Sequence, residues 1–170
     1  MDLKKIVTPG NSMFHKMVQI GIVVQDLEQT LQILRNTFGW EAYAFADTPK
    51  GEKLYYGQVE DFSVRMAFIR FQHIEIELLQ PTRGKSVWKD YLEHHGPGLH
   101  HILFDVNNFE KAKQALEAQG IMMVQTGPSA RFEGARWAYF DATKQLGYYI
   151  ECFNPSEFGY DSMQCGASES

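Results

Sequence analysis

The sequence predicts an α+β fold in which two tandem βαβββ modules form one half-open, curved sheet of eight strands. Two observations indicate the duplication. A strand followed by a capped helix occurs twice, and so do the strands that come after it. A third observation, the alternation of apolar and polar residues along the strands, predicts which face of the sheet carries the helices and which is concave and polar.

The duplication is visible as three pairs of similar segments in the same order. They are 19–28 with 101–110, 65–69 with 136–140, and 76–81 with 150–155. The separations of 82, 71 and 74 residues differ because the connecting loops differ in length. Two halves of similar pattern could also arise by chance, but few accidental repeats preserve the order of strand, cap, helix stop and terminal strand.

Both predicted helices carry start and stop signals. Asp26 and Asn107 are the expected N-caps, since each is followed three residues later by Gln or Glu in the pattern of a capping box. Gly39 and Gly120 are expected to end the helices, because glycine readily adopts the left-handed conformation found at that position.

These signals set the predicted boundaries. The first βαβββ module covers 15–81, a turn-rich linker covers 82–97, and the second module covers 98–155. A C-terminal tail remains over 156–170, for which disorder is one interpretation.

Composition excludes several classes of protein. The 170 residues are 44% hydrophobic and 22% charged, with a net charge of −5 spread along the chain, so we expect no nucleic-acid partner. No apolar run reaches about 18 residues and the N-terminus lacks the apolar core of a signal peptide, which predicts a cytoplasmic protein without membrane attachment.

Cys152 and Cys165 fit neither a disulfide framework nor a zinc finger, and Cys152 is expected in the core.

Strand alternation places four polar side chains on one face. In each strand the alternating apolar residues lie on the opposite face, toward the helices, which directs four polar side chains to the concave side. They are Gln19, Glu77, His101 and Glu151. The repeat relates Gln19 to His101 and Glu77 to Glu151. Any one of them alone is typical of an ordinary polar strand residue. Together they predict a site.

A divalent cation would reconcile these four groups. Burying two carboxylates, an imidazole and an amide without compensation costs several kcal/mol for each unpaired charge. The oxygen-rich set suits Zn, Ni, Co, Mn or Mg better than copper. Only one histidine stands at the four positions, so a ferrous dioxygenase, which normally offers two, is disfavoured.

The sequence resembles the vicinal oxygen chelate (glyoxalase/bleomycin resistance/dioxygenase) superfamily, and within it the methylmalonyl-CoA epimerase-like group. The resemblance covers about residues 15 to 155. The segments that carry it are 18–24, 26–28, 76–81, 98–102 and 146–151. One position departs from the epimerases, where the first-strand ligand is a histidine; Gln19 stands there, as a glutamine does in certain glyoxalase I enzymes.

The resemblance implies a glyoxalase-like fold and a metal-dependent isomerase or lyase that removes a proton next to a carbonyl. The substrate would be a small-molecule carbonyl compound or an acyl-thioester. Glu151 is the expected general base. The resembled epimerases have a second carboxylate before a later strand, which falls on Asp61 with Glu60 beside it; a hairpin turn is the alternative interpretation of that pair.

Two other functions stay open. A glyoxalase I-like lactoylglutathione lyase would share the ligand set, and a non-catalytic protein that sequesters a small molecule would share the fold. Linker residues at the predicted cavity mouth are candidates for binding the phosphate or carboxylate of an acyl-CoA, with surface solvation as the alternative. They are Arg83, Lys85 and Ser86. The resemblance also implies a homodimer.

Overall fold

The computed structural model describes residues 13–14, 16–72 and 74–154. The predicted tail over 156–170, with Cys165, lies outside the described residues, so its interpretation stays a prediction.

Four helices and ten strands form within the described ranges. The helices are α1 (Leu27–Phe38), α2 (Val87–His95), α3 (Phe109–Glu117) and α4 (Thr143–Leu146). The strands are β1 (Lys16–Val23), β2 (Ala44–Asp47), β3 (Leu54–Tyr55), β4 (Gln58–Val59), β5 (Ser63–Arg70), β6 (Glu75–Arg83), β7 (Gly98–Asp105), β8 (Met123–Pro128), β9 (Arg136–Asp141) and β10 (Tyr149–Asn154).

All ten strands join one sheet that curves into a half-barrel, in the order β2-β5-β6-β1-β7-β10-β9-β8-β3-β4. At its centre β1 pairs antiparallel with β7. Each central strand pairs in parallel with the last strand of its own repeat, β1 with β6 and β7 with β10. The first eight strands in this order repeat one pattern on the two sides of the β1/β7 seam, and they confirm the duplicated α+β architecture.

The predicted count of eight strands was too low, because β3 and β4 form an additional hairpin between β2 and β5 in the chain. Its turn at Tyr56-Gly57 has positive φ at both residues, the geometry that suits a two-residue hairpin. The hairpin pairs through β3 with β8, at the far edge of the sheet. It therefore extends the second half of the sheet although its sequence belongs to the first.

The predicted linker contains regular structure that the sequence interpretation missed. Strand β6 continues to Arg83, and α2 occupies 87–95. The hydroxyl of Ser86 accepts a hydrogen bond from the backbone N–H of Lys89 and caps the helix. Val87 and Trp88, at the start of α2, are buried in the central hydrophobic cluster, so the linker closes one side of the concave face.

The other two long helices cover the convex side of the sheet. Ile22, Val24 and Leu78 pack with residues of α1, while Val23 and Leu79 belong to the cluster on the concave side. This is the alternation predicted from the strand pattern. A third cluster beneath α3 contains buried residues of the second half, Cys152 among them, in agreement with its expected core position.

The first helix begins and ends at the predicted residues, but the third begins one residue later than predicted and ends at Glu117, before the predicted stop at Gly120. Asp26 accepts the N–H of Gln29, and Gly39 ends α1 in the left-handed conformation. For α3 the cap is Asn108, whose side chain accepts the N–H of Lys111, and not Asn107. No helix in the described ranges is long and apolar enough to cross a membrane.

Candidate metal centre

The ring of His101 fits onto the concave face of the sheet because the residue opposite it is a glycine. Strand β7 places His101 opposite Gly21 of β1. The His101 side chain is fully buried, and its ring lies directly over Gly21, where a Cβ atom would overlap the imidazole. Gly21 thus provides the space in which the ring sits on the concave face.

The neighbouring histidine is on the same side of the sheet, which strand alternation alone does not predict. The β1/β7 register shifts between Gly21 and Ile22, so β7 contains a bulge at His100. The Nδ1 atoms of His100 and His101 are 3.1 Å apart, and one of them must donate. If His101 donates from Nδ1, its Nε2 carries a lone pair toward the site, the tautomer that a metal ligand needs.

Two buried carboxylates face the Nε2 atom of His101. Glu77 Oε2 lies 3.3 Å from it and Glu151 Oε2 lies 2.9 Å from it. Glu77 comes from β6 and Glu151 from β10, so the two repeats contribute one carboxylate each. Both carboxylates are buried, with exposures of 7% and 4%.

The polar atoms at this centre are close enough together to be candidate ligands of one cation. His101 Nε2 and Glu151 Oε2 are buried without a hydrogen-bond partner, because their mutual contact lacks hydrogen-bond geometry. Candidate ligand atoms of Glu77, His101 and Glu151 all lie within 4.8 Å of one another. One ion could contact ligand atoms at these separations, since metal–ligand distances are about 2.1 Å.

The electrostatics of the centre reflect its burial. Burial raises the pKa of the Glu77 carboxyl, against the lowering effect of His101. Burial acts to lower the pKa of His101, but the charges and hydrogen-bonding atoms of Glu151 and Glu77 outweigh it and raise that pKa to about 9. Burial and the charge of His101 lower the pKa of His100 well below its usual value, so His100 is neutral. Without a cation, the imidazole of His101 therefore holds the proton.

Gln19 lies on β1 at the wall of the same cavity as the two carboxylates. Its Nε2 donates to Glu75 Oε1 at 2.7 Å, which turns its amide nitrogen toward β6. Gln19 therefore shares the cavity wall with Glu77 and Glu151, and ligation through its carbonyl oxygen stays a prediction.

Glu75 is a residue of the site to which the sequence analysis assigned no role. It is 1% exposed and accepts hydrogen bonds from Gln19, from Arg131 Nη1 at 2.6 Å and from the Tyr43 hydroxyl. Arg70 Nη2 is 3.4 Å from its other oxygen. Strand alternation put Glu75 on the face of Glu77, but no sequence signal linked it to Arg131, which lies in the loop between β8 and β9.

The site opens into a largely apolar cleft, in which the centres of water-sized molecules can occupy about 40 Å³. Met66, Phe68, Trp88, Phe132 and Trp137 are among the residues that line it. Trp137, Tyr139 and Phe153 line the cavity, whereas Tyr55, Tyr56 and Tyr149 are not among its lining residues.

Tyr139 is the aromatic residue of the wall that lies nearest the imidazole. Its ring centroid is 4.8 Å from that of His101, and its strand position pairs with Glu151. Burial and the nearby charges of Glu151 and Glu77 raise the pKa of Tyr139 well above its usual value. The hydroxyl therefore stays protonated and can donate.

Asp61 and Glu60 are not among the residues that line the cavity. The Asp61 side chain is 70% exposed and pairs with Arg83 at 2.9 Å and Lys53 at 3.3 Å. Glu60 follows β4, and its backbone N–H donates to the Lys53 carbonyl. The geometry gives their predicted role as a second acid or base no support, and the role stays a prediction.

The three linker residues expected at the cavity mouth are likewise not among the lining residues. Arg83 pairs with Asp61, Ser86 is buried as the cap of α2, and Lys85 is exposed.

The fold agrees with comparisons to known proteins. A profile of the Glyoxalase/Bleomycin resistance protein/Dioxygenase superfamily matches residues 18–139. The chain belongs to this superfamily, as the sequence resemblance predicted.

Among its relatives are epimerases and proteins of unassigned role. An ethylmalonyl-CoA/methylmalonyl-CoA epimerase of Cereibacter sphaeroides is 30% identical over 68% of this chain and 78% of its own. The uncharacterized protein YqjC of Bacillus subtilis is 27% identical over 83% and 93%. The structure of a Streptomyces coelicolor methylmalonyl-CoA epimerase with 2-nitronate-propionyl-CoA matches with a TM-score of 0.60, at 24% identity over 81% and 95%.

Proposed function

We propose that this protein is a metal-dependent isomerase of the methylmalonyl-CoA epimerase type, which removes and returns the proton next to the carbonyl of an acyl-thioester. The observation that carries the proposal is the buried group of Glu77, His101 and Glu151, whose facing atoms are close together but not hydrogen-bonded to one another. The epimerases among the relatives support the choice of substrate class.

The protein supplies the ligands and the proton acceptor. Glu77, His101 and Glu151, with Gln19 through its amide oxygen, would hold a divalent cation such as Zn, Ni, Co, Mn or Mg. A cation bound there would polarise a substrate carbonyl and stabilise the negative charge that develops when the adjacent C–H loses its proton.

Glu151 is proposed as the general base. Glu151 is at the cavity wall, and its carboxylate would leave the cation to take a proton from a bound substrate. Tyr139, protonated beside it, is in a position to donate a hydrogen bond. The apolar wall made by Phe68, Trp88 and Trp137 would exclude water and strengthen these interactions.

The test is hydrogen exchange at the α-carbon of methylmalonyl-CoA in heavy water, with protein first stripped of metal and then loaded with Co²⁺. We expect incorporation of deuterium by the loaded protein and none by the stripped protein. The variant Glu151→Gln should reduce the rate by about 10²- to 10⁴-fold, the usual effect of losing a general base. Glu93→Gln, at an exposed position on α2, is the matched control and should leave the rate unchanged.

Absence of exchange by wild-type protein that has bound cobalt would overturn the epimerase proposal. The same loaded protein should then be offered the hemithioacetal of methylglyoxal and glutathione. Turnover of that substrate would identify a glyoxalase-type lyase, and failure of both reactions would leave ligand sequestration as the function of the cavity.

A further inference from the structure

We infer that Glu75 is a positioning residue for the metal centre, which orients the amide of Gln19 so that the carbonyl oxygen is the atom presented to the cation. This inference rests on the proposed metal centre and assigns a role to a buried carboxylate that is not itself part of the ligand group. Three features of the structure carry it.

The first feature is the register of the two strands. In the parallel pairing of β1 with β6, Gln19 lies directly opposite Glu75, so their side chains are neighbours on the concave face. The Gln19 Nε2 to Glu75 Oε1 distance is 2.7 Å and both residues are buried.

The second feature is the chemistry of the pair. A glutamine amide has nearly the same shape with its oxygen and nitrogen exchanged, but only the oxygen can bind a cation. An ionised carboxylate only accepts hydrogen bonds, so Glu75 selects the orientation in which the amide nitrogen faces it. The hydrogen bond to Glu75 is the only one recorded for the Gln19 side chain in the described structure. The oxygen is therefore left for a ligand.

The third feature is that Glu75 is itself held in place from several sides. Arg131 Nη1 donates at 2.6 Å, the Tyr43 hydroxyl also donates, and Arg70 lies 3.4 Å away. These contacts compensate the charge of a carboxylate that would be costly to bury alone. The Arg131 guanidinium also lies 4.3 Å from the centroid of the Phe68 ring, so the loop between β8 and β9 packs on the cavity wall.

The position of Glu75 indicates that it acts through Gln19 and not on the substrate. Gln19 and Arg131 line the cavity, whereas Glu75 is not among the lining residues. Supporting residues of this kind hold ligands in orientation, and their removal typically weakens metal binding by about 10- to 100-fold.

The test is the affinity for Co²⁺ and the visible absorption spectrum of the cobalt protein, measured without substrate. In Glu75→Gln the residue at 75 can accept or donate, so the Gln19 amide is no longer held in one orientation. We expect an affinity lower by about 10-fold or more and a changed spectrum. The exposed substitution Glu93→Gln should change neither.

A double variant separates positioning from a general structural role. In Gln19→Glu with Glu75→Gln, the amide at 75 can donate to the carboxylate at 19, which keeps an oxygen toward the cation. We expect the affinity to return at least to the wild-type value. If Glu75→Gln does not fold, Glu75→Asp retains the charge and shortens the reach to Gln19, and it should also weaken cobalt binding.

Each outcome is decisive. Wild-type protein that binds no cobalt overturns the metal centre and the role of Glu75 together. Wild-type binding with an unchanged affinity and spectrum in Glu75→Gln, or in Glu75→Asp where that variant replaces it, overturns the role of Glu75 alone. Loss of binding in Glu75→Gln that the double variant fails to restore also overturns it, since a structural defect would then explain the loss. None of these readings depends on the exchange reaction.

Discussion

At the scale of single residues, the absence of a side chain at Gly21 is as important as the presence of the ligands. His101 can lie on the concave face only because the residue opposite it in β1 has no Cβ atom. A glycine inside a strand weakens it through lost packing and added chain entropy. At this position the space it leaves is filled by the imidazole.

Replacing Gly21 with alanine should therefore displace His101. We expect Gly21→Ala to lower the affinity for Co²⁺ by at least 10-fold and the free energy of unfolding by about 1–3 kcal/mol, the usual effect of overpacking. Calorimetric titration and urea unfolding measure the two quantities. Gly98→Ala is the control, because its added Cβ would meet only the end of the Tyr91 side chain at 3.0 Å. Unchanged cobalt binding in Gly21→Ala would contradict the proposed position of His101.

Cys152 provides an independent check of β10, the strand that carries Glu151. It is fully buried beneath α3, and burial together with the charge of Glu151 raises the pKa of its thiol well above the usual value. The reactive thiolate form is therefore scarce as well as inaccessible. In a Cys165→Ser background we expect no reaction with Ellman's reagent in native buffer and one equivalent in urea. Rapid reaction in native buffer would show that β10 is not packed as described.

At the scale of elements, a side-chain hydrogen bond joins the β3/β4 hairpin to the helix α2 of the linker. The Tyr55 hydroxyl of β3 donates to Asp90 Oδ2 of α2 at 2.6 Å. We expect Tyr55→Phe to lower the free energy of unfolding by about 1 kcal/mol. Tyr56→Phe, whose ring is 53% exposed, should change it by less than about 0.5 kcal/mol. Urea unfolding compares the two, and equal effects would argue against the hydrogen bond.

The two elements that sequence reasoning missed were missed for different physical reasons. The β3/β4 hairpin has strands of two residues each, too short for a pattern, and it is stabilised by pairing with β8, far along the chain. The helix α2 was missed because glycines and prolines flank it and are typical of turns, although Ser86 caps its start. By contrast, β1, β7 and α1 were predictable because alternation and capping are local signals.

The residues of the site also fall into those that local sequence signals predict and those that they do not. Glu77, His101 and Glu151 could be placed on one face from alternation alone. The position of His100 depends on a bulge, and the contact of Glu75 with Arg131 depends on a loop that crosses from the other half of the sheet. Neither the position of His100 nor the contact of Glu75 with Arg131 produces a periodic pattern in the sequence.

At the scale of the whole molecule, the candidate centre joins the two repeats. Glu77 belongs to the first repeat, and His101 and Glu151 belong to the second, on either side of the β1/β7 seam. A cation bound by all three would bind the folded chain and not the unfolded one, because the ligands meet only when the sheet is assembled. Binding should then stabilise the entire fold and not one half.

This coupling predicts a thermal shift. At a free Co²⁺ concentration of about 100 times Kd, binding adds about 2.7 kcal/mol, and for a chain of this size each kcal/mol raises Tm by roughly 2–4 °C. We therefore expect Tm to rise by about 5–10 °C on loading and to fall again with EDTA. Glu77→Ala should abolish the shift, because it removes the carboxylate ligand that the first repeat contributes, whereas Glu93→Ala should retain it. Scanning calorimetry distinguishes this from a local effect: a single transition that moves as a whole agrees with a centre shared by the two repeats, and two transitions of which only one moves would contradict it.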